Sequence, residues 1–134
     1  MSWDVTVQRF SKIYDSVEDI PDTEACLPIG TGEEVRRAIS KYFPSTSWAD
    51  PAWGVFDSDS GSVEFNCGND EISTGFMMHI RASEAVVSAI VQMCRGERWQ
   101  ALDCSSGEFL ERVPNPENGL NEWKSFRDQV VGDE

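Results

Sequence analysis

The sequence predicts an α+β domain: one antiparallel sheet of about five strands, with a mixed sheet as the alternative, and two helices packed on it. Alternating segments typical of half-buried strands, segments with helical spacing, and consecutive strands that are not each followed by a helix favour this class. The length of 134 residues, with 40% hydrophobic and 26% charged residues, is typical of one globular domain. We therefore expect a single domain over residues 1–134, ordered β-α-β-β-β-α-β-α and ending in an amphipathic helix.

The first third of the chain predicts one strand and one helix. Apolar and polar residues alternate over 2–10, which indicates a strand with one buried face. An acidic loop, containing at most a short turn, follows over 15–24. Thr31 and Glu34 then have the spacing of a capping box, and apolar residues recur at helical spacing, so a helix is predicted over about 32–43.

The middle of the chain predicts a meander of three strands. Its strands are 53–57, 62–67 and 73–81, each bounded by polar turn residues. Gly61 closes the first turn, where a positive φ is expected. In the third strand, His79 lies on the face opposite Phe76, Met78 and Ile80.

The last third predicts two helices on either side of a final strand. Ser83 is expected to cap the first helix and Gly96 to end it. The strand follows at 99–103, and a break over 113–118 precedes a helix over 119–131. We expect this last helix to dock its apolar edge on the domain, since its aromatic residues would otherwise form an exposed patch. That edge consists of Leu120, Trp123, Phe126 and Val130.

Charge excludes some function classes. The chain has 24 acidic and 11 basic residues and a formal net charge of -13. Nucleic-acid binding depends on clustered Lys and Arg, so neither nucleic acid nor an anionic membrane is an expected partner.

The compartment is predicted from what the sequence lacks. The N-terminus has no basic and apolar leader, and no apolar run reaches the roughly 18 residues of a membrane-spanning helix. Cys26, Cys67, Cys94 and Cys104 include no C-x-x-C pair. We expect reduced thiols and a cytoplasmic protein.

The acidic residues are distributed unevenly, and this predicts a binding face. Residues 42–80 contain six acids and no Lys or Arg. A field of one sign steers a basic protein partner, and neighbouring tryptophans are the type of residue that anchors an interface. The alternative is a solubility face beside core tryptophans. The predicted partner-binding residues are Trp53, Asp57, Asp59, Glu64, Asp70 and Glu71.

Catalytic and metal sites receive weaker support. Paired acids suit glycoside hydrolysis, but Asp57 and Asp59 are also ordinary turn residues. A calcium loop starting at Asp57 would place Gly68 where the bidentate glutamate belongs. His79, the only histidine, has no Ser or Cys beside it in the sequence, although the fold could bring Cys67 or Cys104 close. We predict no catalytic residue, metal or cofactor.

Four segments resemble a group of small uncharacterised bacterial proteins: residues 50–56, 62–66, 78–81 and 99–103. This resemblance implies a compact cytosolic α+β domain without known catalytic residues. In size and acidity the chain is also similar to immunity proteins of bacterial toxin systems, which cap or occlude a toxin domain.

These observations favour a non-enzymatic binding protein, most concretely an intracellular immunity protein or inhibitor that blocks a basic toxin or nuclease. A small hydrolase or carbohydrate-binding domain using Glu64 and a neighbouring carboxylate is the alternative. A structural subunit of a bacterial assembly is a further one. The protein itself is expected to be a monomer or a homodimer.

Overall fold

Six strands form one antiparallel sheet, and three helices accompany it, in a computed structural model that describes residues 2–132. The strands are β1 Trp3–Gln8, β2 Gly30–Thr31, β3 Ser47–Asp50, β4 Trp53–Ser58, β5 Gly61–Asn66, β6 Ile72–Ser73, β7 Gly75–Ala82 and β8 Gln100–Asp103. The helices are α1 Gly32–Tyr42, α2 Ala85–Glu97 and α3 Glu117–Gly132. The sheet order is β3-β4-β5-β7-β1-β8, while β2 and β6 pair separately. Residues 1, 133 and 134 of the predicted domain lie outside the described part.

One face of the sheet carries the core. Alternate residues of the central strands are buried there and pack with the apolar faces of α1 and α2. The fully buried strand residues include Trp3, Val5, Val7, Val63, Phe65, Met78, Ile80 and Ala101. The predicted α+β class and antiparallel sheet are therefore confirmed, with helices on one sheet face.

The strand count was underestimated. The meander β4-β5-β7 is confirmed, and the positive φ expected at Gly61 is 121°. The strands β2 and β6 have only two residues each, and β3 pairs with β4 through a register shift, so none of the three has a regular alternation. The predicted final strand is confirmed as β8, and Leu102 of this strand also forms a single bridge with Phe109, just before a 3-10 turn at Leu110–Arg112.

The helix ends are partly as predicted. The capping box of α1 is confirmed: the Glu34 N–H donates to Thr31 Oγ1 at 3.2 Å, and the Thr31 N–H donates to Glu34 Oε1 at 3.1 Å. In α2 the predicted stop at Gly96 was wrong, and the N-cap lies one residue after the predicted Ser83, although Ser83 Oγ accepts a hydrogen bond from the Ala85 N–H at 3.4 Å. Glu84 is the N-cap residue, with no side-chain cap bond, and the helix continues through Gly96 to a C-cap at Arg98 with a φ of 61°.

Gly96 has a packing role instead. A Cβ at this position would lie 2.1 Å from the hydroxyl oxygen of Tyr42, so glycine lets α1 approach α2. The absence of a side chain, rather than a helix stop, explains this glycine.

The C-terminal helix begins earlier than predicted and docks only in part. It starts at Glu117, which shortens the predicted break. Leu120 is fully buried and Trp123 packs against the core, whereas Phe126 is 57% and Val130 37% exposed. The expectation that the whole apolar edge docks was therefore wrong for its second half, Phe126 and Val130. None of the helices within 2–132 is both long and apolar enough to cross a membrane.

Candidate binding face of the sheet

The sheet face that α1 and α2 leave uncovered, called the open face here, holds the candidate site. Antiparallel register places Glu64 of β5 opposite His79 of β7, and His79 opposite Asp4 of β1. Because side chains alternate along each strand, these three residues lie in one row across the sheet. Their neighbours on the core face are buried, while all three remain partly exposed to solvent.

An aromatic stack and a hydrogen bond hold His79 at the centre of this row. The Trp53 ring stacks on the imidazole with centroids 5.6 Å apart and an interplanar angle of 16°. On the other side, His79 Nδ1 lies 2.9 Å from Asp4 Oδ1, and Ser2 Oγ donates to the same oxygen at 2.6 Å. A large aromatic surface, of the kind that anchors many protein interfaces, is thus positioned near a carboxylate.

The Asp4 carboxylate is poised to stay ionised. Partial burial raises its pKa, but the hydrogen bonds from Ser2 and His79 and the nearby charges of His79 and Arg81 outweigh burial, so the pKa is lowered overall. The side chain is 43% exposed, so this negative charge can also attract a partner.

Glu64 is engaged by an arginine rather than by a second acid. Arg81 Nη1 donates to Glu64 Oε2 at 2.9 Å, and the two side chains are 46% and 29% exposed. Arg81 lies on the same face, opposite Ser62. Arg81, the first basic residue after the segment 42–80, therefore partly neutralises the charge of Glu64 in the middle of the open face.

The structure divides the predicted partner-binding residues among three places. The first is the open face, which holds Trp53, Asp57 and Glu64. The second is the tight turn after β4, which holds Asp59. Asp70 and Glu71 lie beyond the opposite end of β5. The span from Ser62, the partner of Asp57, to Asn66 is about 13 Å at about 3.3 Å per residue. Asp59 before β5, and Asp70 with Glu71 after it, therefore flank the open face at its two ends.

The two tryptophans near the predicted site lie on different faces. Trp48 packs over Gly54 and Phe65 on the helix side, and its Nε1 donates to Ser40 Oγ at 2.9 Å. Trp53, by contrast, is on the open face and partly exposed. Only Trp53 is available as an anchor for a partner.

Sequence reasoning missed Asp4 and His79 as members of the site. Alternation placed both on polar strand faces, but it could not place β1 between β7 and β8. Strand order is a long-range property, and it alone brings the N-terminal strand beside His79.

Three of the four thiols, those of Cys67, Cys94 and Cys104, are in surroundings unfavourable for nucleophilic catalysis. Burial raises the pKa of Cys67 to about 11 and that of Cys94 well above its ordinary value. Cys104 follows β8, and its N–H donates to the Asp4 carbonyl at 3.1 Å. Partial burial, and then the Asp4 charge, raise the pKa of this thiol, so few thiolates form at neutral pH. Strand β1, which carries Asp4, lies between β8, which precedes Cys104, and β7, which carries His79. The strand order therefore separates this thiol from the imidazole.

Comparisons with known proteins provide no relative from which a function can be transferred: no family model, curated protein or solved structure matches this chain. Within residues 2–132, no three or more His, Cys, Asp or Glu side chains are grouped so that they could hold a metal ion.

Proposed function

We propose that the protein is a non-enzymatic binding module that captures a basic protein through the open face of its sheet. Its most concrete form is an intracellular immunity protein or inhibitor that blocks a basic toxin or nuclease. One observation carries this proposal: the stack of Trp53 on His79, flanked by the carboxylates of Asp4 and Glu64, lies on a sheet face without covering helices.

The arrangement favours recognition over hydrolysis. A glycosidase needs two nearby carboxyl groups, one of them kept protonated. Glu64 instead accepts a hydrogen bond from Arg81, and its cross-strand neighbours are Val55 and His79. A basic partner could instead compete for Glu64 with Arg81, contact Asp57 and cover the Trp53 ring. The acids at both ends of β5 would steer its approach.

Affinity measurements on single variants test this proposal. The chain serves as bait in a lysate of its native host, and the captured protein is identified, purified and titrated against each variant. Trp53→Ala is expected to weaken binding by about 30-fold, because a central aromatic anchor contributes about 2 kcal/mol. Asp57→Lys is expected to slow association, with a smaller effect at high salt.

Glu33→Lys is the matched control for charge. Glu33 is exposed on α1, on the other side of the sheet, and its replacement changes the net charge as much as Asp57→Lys does. If both lysine variants weaken binding equally, only bulk charge matters and the open face is not the site. Unchanged affinity in Trp53→Ala would also refute the proposal. A chain that captures only itself, detected by light scattering, would favour the structural-subunit alternative.

A further inference from the structure

A cavity of about 230 Å³ lies between the C-terminal end of α2, the 3-10 turn that follows β8 and the loop that follows β1. Its floor consists of three buried residues, Cys94, Trp99 and Glu111. Ile13, which is 46% exposed, adds an apolar edge. Cys94 and Trp99 belong to the hydrophobic core, so the cavity lies on the helix side of the sheet and is distinct from the open face.

Three arginines complete the lining of this cavity. Arg95 is in the last turn of α2, Arg98 is its C-cap residue and Arg112 ends the 3-10 turn. All three are exposed residues, so a ligand in solvent can reach them. The chain has 24 acids and 11 bases, yet three bases and only one acid line this cavity. It is therefore a locally basic site in an acidic protein.

The one acid of the lining, Glu111, is engaged by donors of the protein interior. Its Oε1 accepts a hydrogen bond from the Gln100 amide at 3.1 Å, and its Oε2 accepts one from the Ala101 N–H at 3.1 Å. No arginine forms an ion pair with Glu111 within residues 2–132. The carboxylate in the floor therefore leaves the guanidinium donors unoccupied.

The three guanidinium groups differ in how far they are already paired. Arg112 donates to Asp15 Oδ1 through Nε, at 2.9 Å, and through Nη2. Arg95 donates from Nη2 to the Glu111 carbonyl at 3.3 Å. Among the described residues, neither Arg95 nor Arg98 has an acidic partner. Because a guanidinium carries five N–H donors, these two side chains keep charge and donors for a ligand.

We infer that this cavity binds a carboxylate group that carries a small apolar substituent, with Arg95 and Arg98 as the donors and Ile13 beside the substituent. The planar guanidinium matches a carboxylate in paired hydrogen bonds. The C-terminal end of α2 carries a negative partial charge of about half an elementary charge, which two arginines exceed. The volume is below the roughly 300–1,000 Å³ of drug-sized sites, so the cavity fits a small acid.

Titration by nuclear magnetic resonance tests this inference on the full chain without any protein partner, so its outcome is independent of the proposed function. Sodium phenylacetate is the probe, and phenylacetamide is the matched compound without a charge. About 100 mM NaCl reduces the range of repulsion by the net negative charge to about 10 Å. The Nε–H signals of Arg95 and Arg98 and the backbone amide of Ile13 report on the cavity. We expect saturable shifts with phenylacetate; linear shifts, or equal shifts with phenylacetamide, would overturn the inference.

Arg98→Gly removes one donor group without endangering the fold. The φ of Arg98 is 61°, a left-handed conformation that glycine adopts more readily, so the variant should have an unchanged or higher Tm. Its affinity for phenylacetate should fall about tenfold, since a charge-assisted hydrogen bond is lost. Arg95→Gln keeps an amide donor for the Glu111 carbonyl and should weaken binding by a similar factor.

Arg37→Gln is the matched control for these variants. Arg37 is an exposed arginine of α1 outside this cavity, and its replacement changes the net charge as much as Arg95→Gln does. It should bind phenylacetate as the wild type does. Unchanged affinity in both cavity variants, or equal weakening in Arg37→Gln, would refute the site.

Two further probes define the ligand class. Inorganic phosphate has the charge without the apolar substituent, and binding as tight as that of phenylacetate would overturn the assignment to an apolar acid. N-acetylglycylphenylalanine presents the same carboxylate at the end of a main chain. Tighter binding than phenylacetate would assign the cavity to the carboxyl terminus of a polypeptide, and weaker binding to a free small acid.

Discussion

At the scale of single residues, a buried polar cluster joins three distant segments of the chain. The Gln100 amide nitrogen donates to the Tyr14 carbonyl at 2.8 Å and to Glu111 Oε1 at 3.1 Å, while its oxygen accepts the Tyr14 N–H at 2.9 Å. The Ala101 N–H donates to Glu111 Oε2 at 3.1 Å. Burial raises the pKa of Glu111, and the hydrogen bonds from Ala101 and Gln100 oppose this shift without cancelling it.

This raised pKa makes stability depend on pH in a direction that can be tested with Glu111→Gln. A carboxyl group whose pKa is higher in the folded state favours folding most when it is protonated, and this contribution is lost as pH rises through the folded-state pKa. The wild type should therefore lose stability relative to Glu111→Gln as pH rises from about 4 to about 7. Urea unfolding of both proteins at several pH values measures the difference.

The prediction concerns how the difference in unfolding free energy between the wild type and Glu111→Gln changes with pH, not the stability of the variant at any one pH. Glu111→Gln keeps one acceptor oxygen where the ionised carboxylate has two, so one of the hydrogen bonds from the Ala101 N–H and the Gln100 amide is lost, and the variant does not titrate at this position. Glu18→Gln, at an exposed position, provides the control and should show a weaker trend. A difference between the wild type and Glu111→Gln that is constant over this pH range would contradict the prediction.

At the scale of helices and strands, the contact between α1 and α2 depends on Gly96 and Tyr42. The Tyr42 hydroxyl occupies the space of a Cβ at position 96, and it donates to Glu97 Oε2 at 2.9 Å. Lys41 donates to the same oxygen at 3.0 Å. A glycine inside a helix is normally unfavourable by about 1 kcal/mol relative to alanine, and here close packing offsets that loss.

A double-mutant cycle tests this explanation. Gly96→Ala should destabilise the protein, because the new methyl group displaces the Tyr42 hydroxyl from Glu97. In a Tyr42→Phe background the clashing oxygen is gone, so the same replacement should be less harmful or stabilising. Chemical unfolding of the four proteins measures the coupling. Equal effects of Gly96→Ala in both backgrounds would show that the contact is unimportant.

Local pattern was sufficient for the elements that bury a regular face. The capping box at Thr31 and the alternation in β1, β5 and β7 were enough to predict those elements correctly. The end of α2 was mispredicted, because a glycine needed for packing and a glycine needed for a helix stop are identical in sequence. The faces of Asp4 and His79 were predictable from alternation, but their contact required the strand order.

At the scale of the whole molecule, charge is separated as well as unbalanced. Six basic residues line two cavities that share the buried Trp99 as a wall, one of about 310 Å³ and one of about 230 Å³. These residues are Arg9, Arg37, Lys41, Arg95, Arg98 and Arg112. Six of the eleven basic residues thus line these two cavities, where Glu34, Glu97 and Glu111 are their acidic neighbours. The proposed binding face is negative because of this separation as well as the total charge.

Net repulsion should dominate how salt affects stability. With 24 acids and 11 bases, most acids have no basic residue to pair with, and the exposed ion pairs that do form are individually weak. Raising NaCl from about 10 to about 100 mM shortens the screening length from about 30 to about 10 Å and weakens repulsion between distant acids. We therefore expect Tm to rise with NaCl, by roughly 3–5 °C for each kcal/mol of repulsion removed in a domain of this size.

Calorimetry in NaCl measures this rise in Tm; NaCl is used rather than sulfate because sulfate also stabilises proteins by being excluded from their surface. Glu18→Lys/Asp59→Lys should have a smaller dependence on salt than the wild type, since it removes two exposed negative charges and adds two positive ones. A Tm that falls with NaCl would mean that attractive pairs such as Lys41–Glu97 outweigh the repulsion.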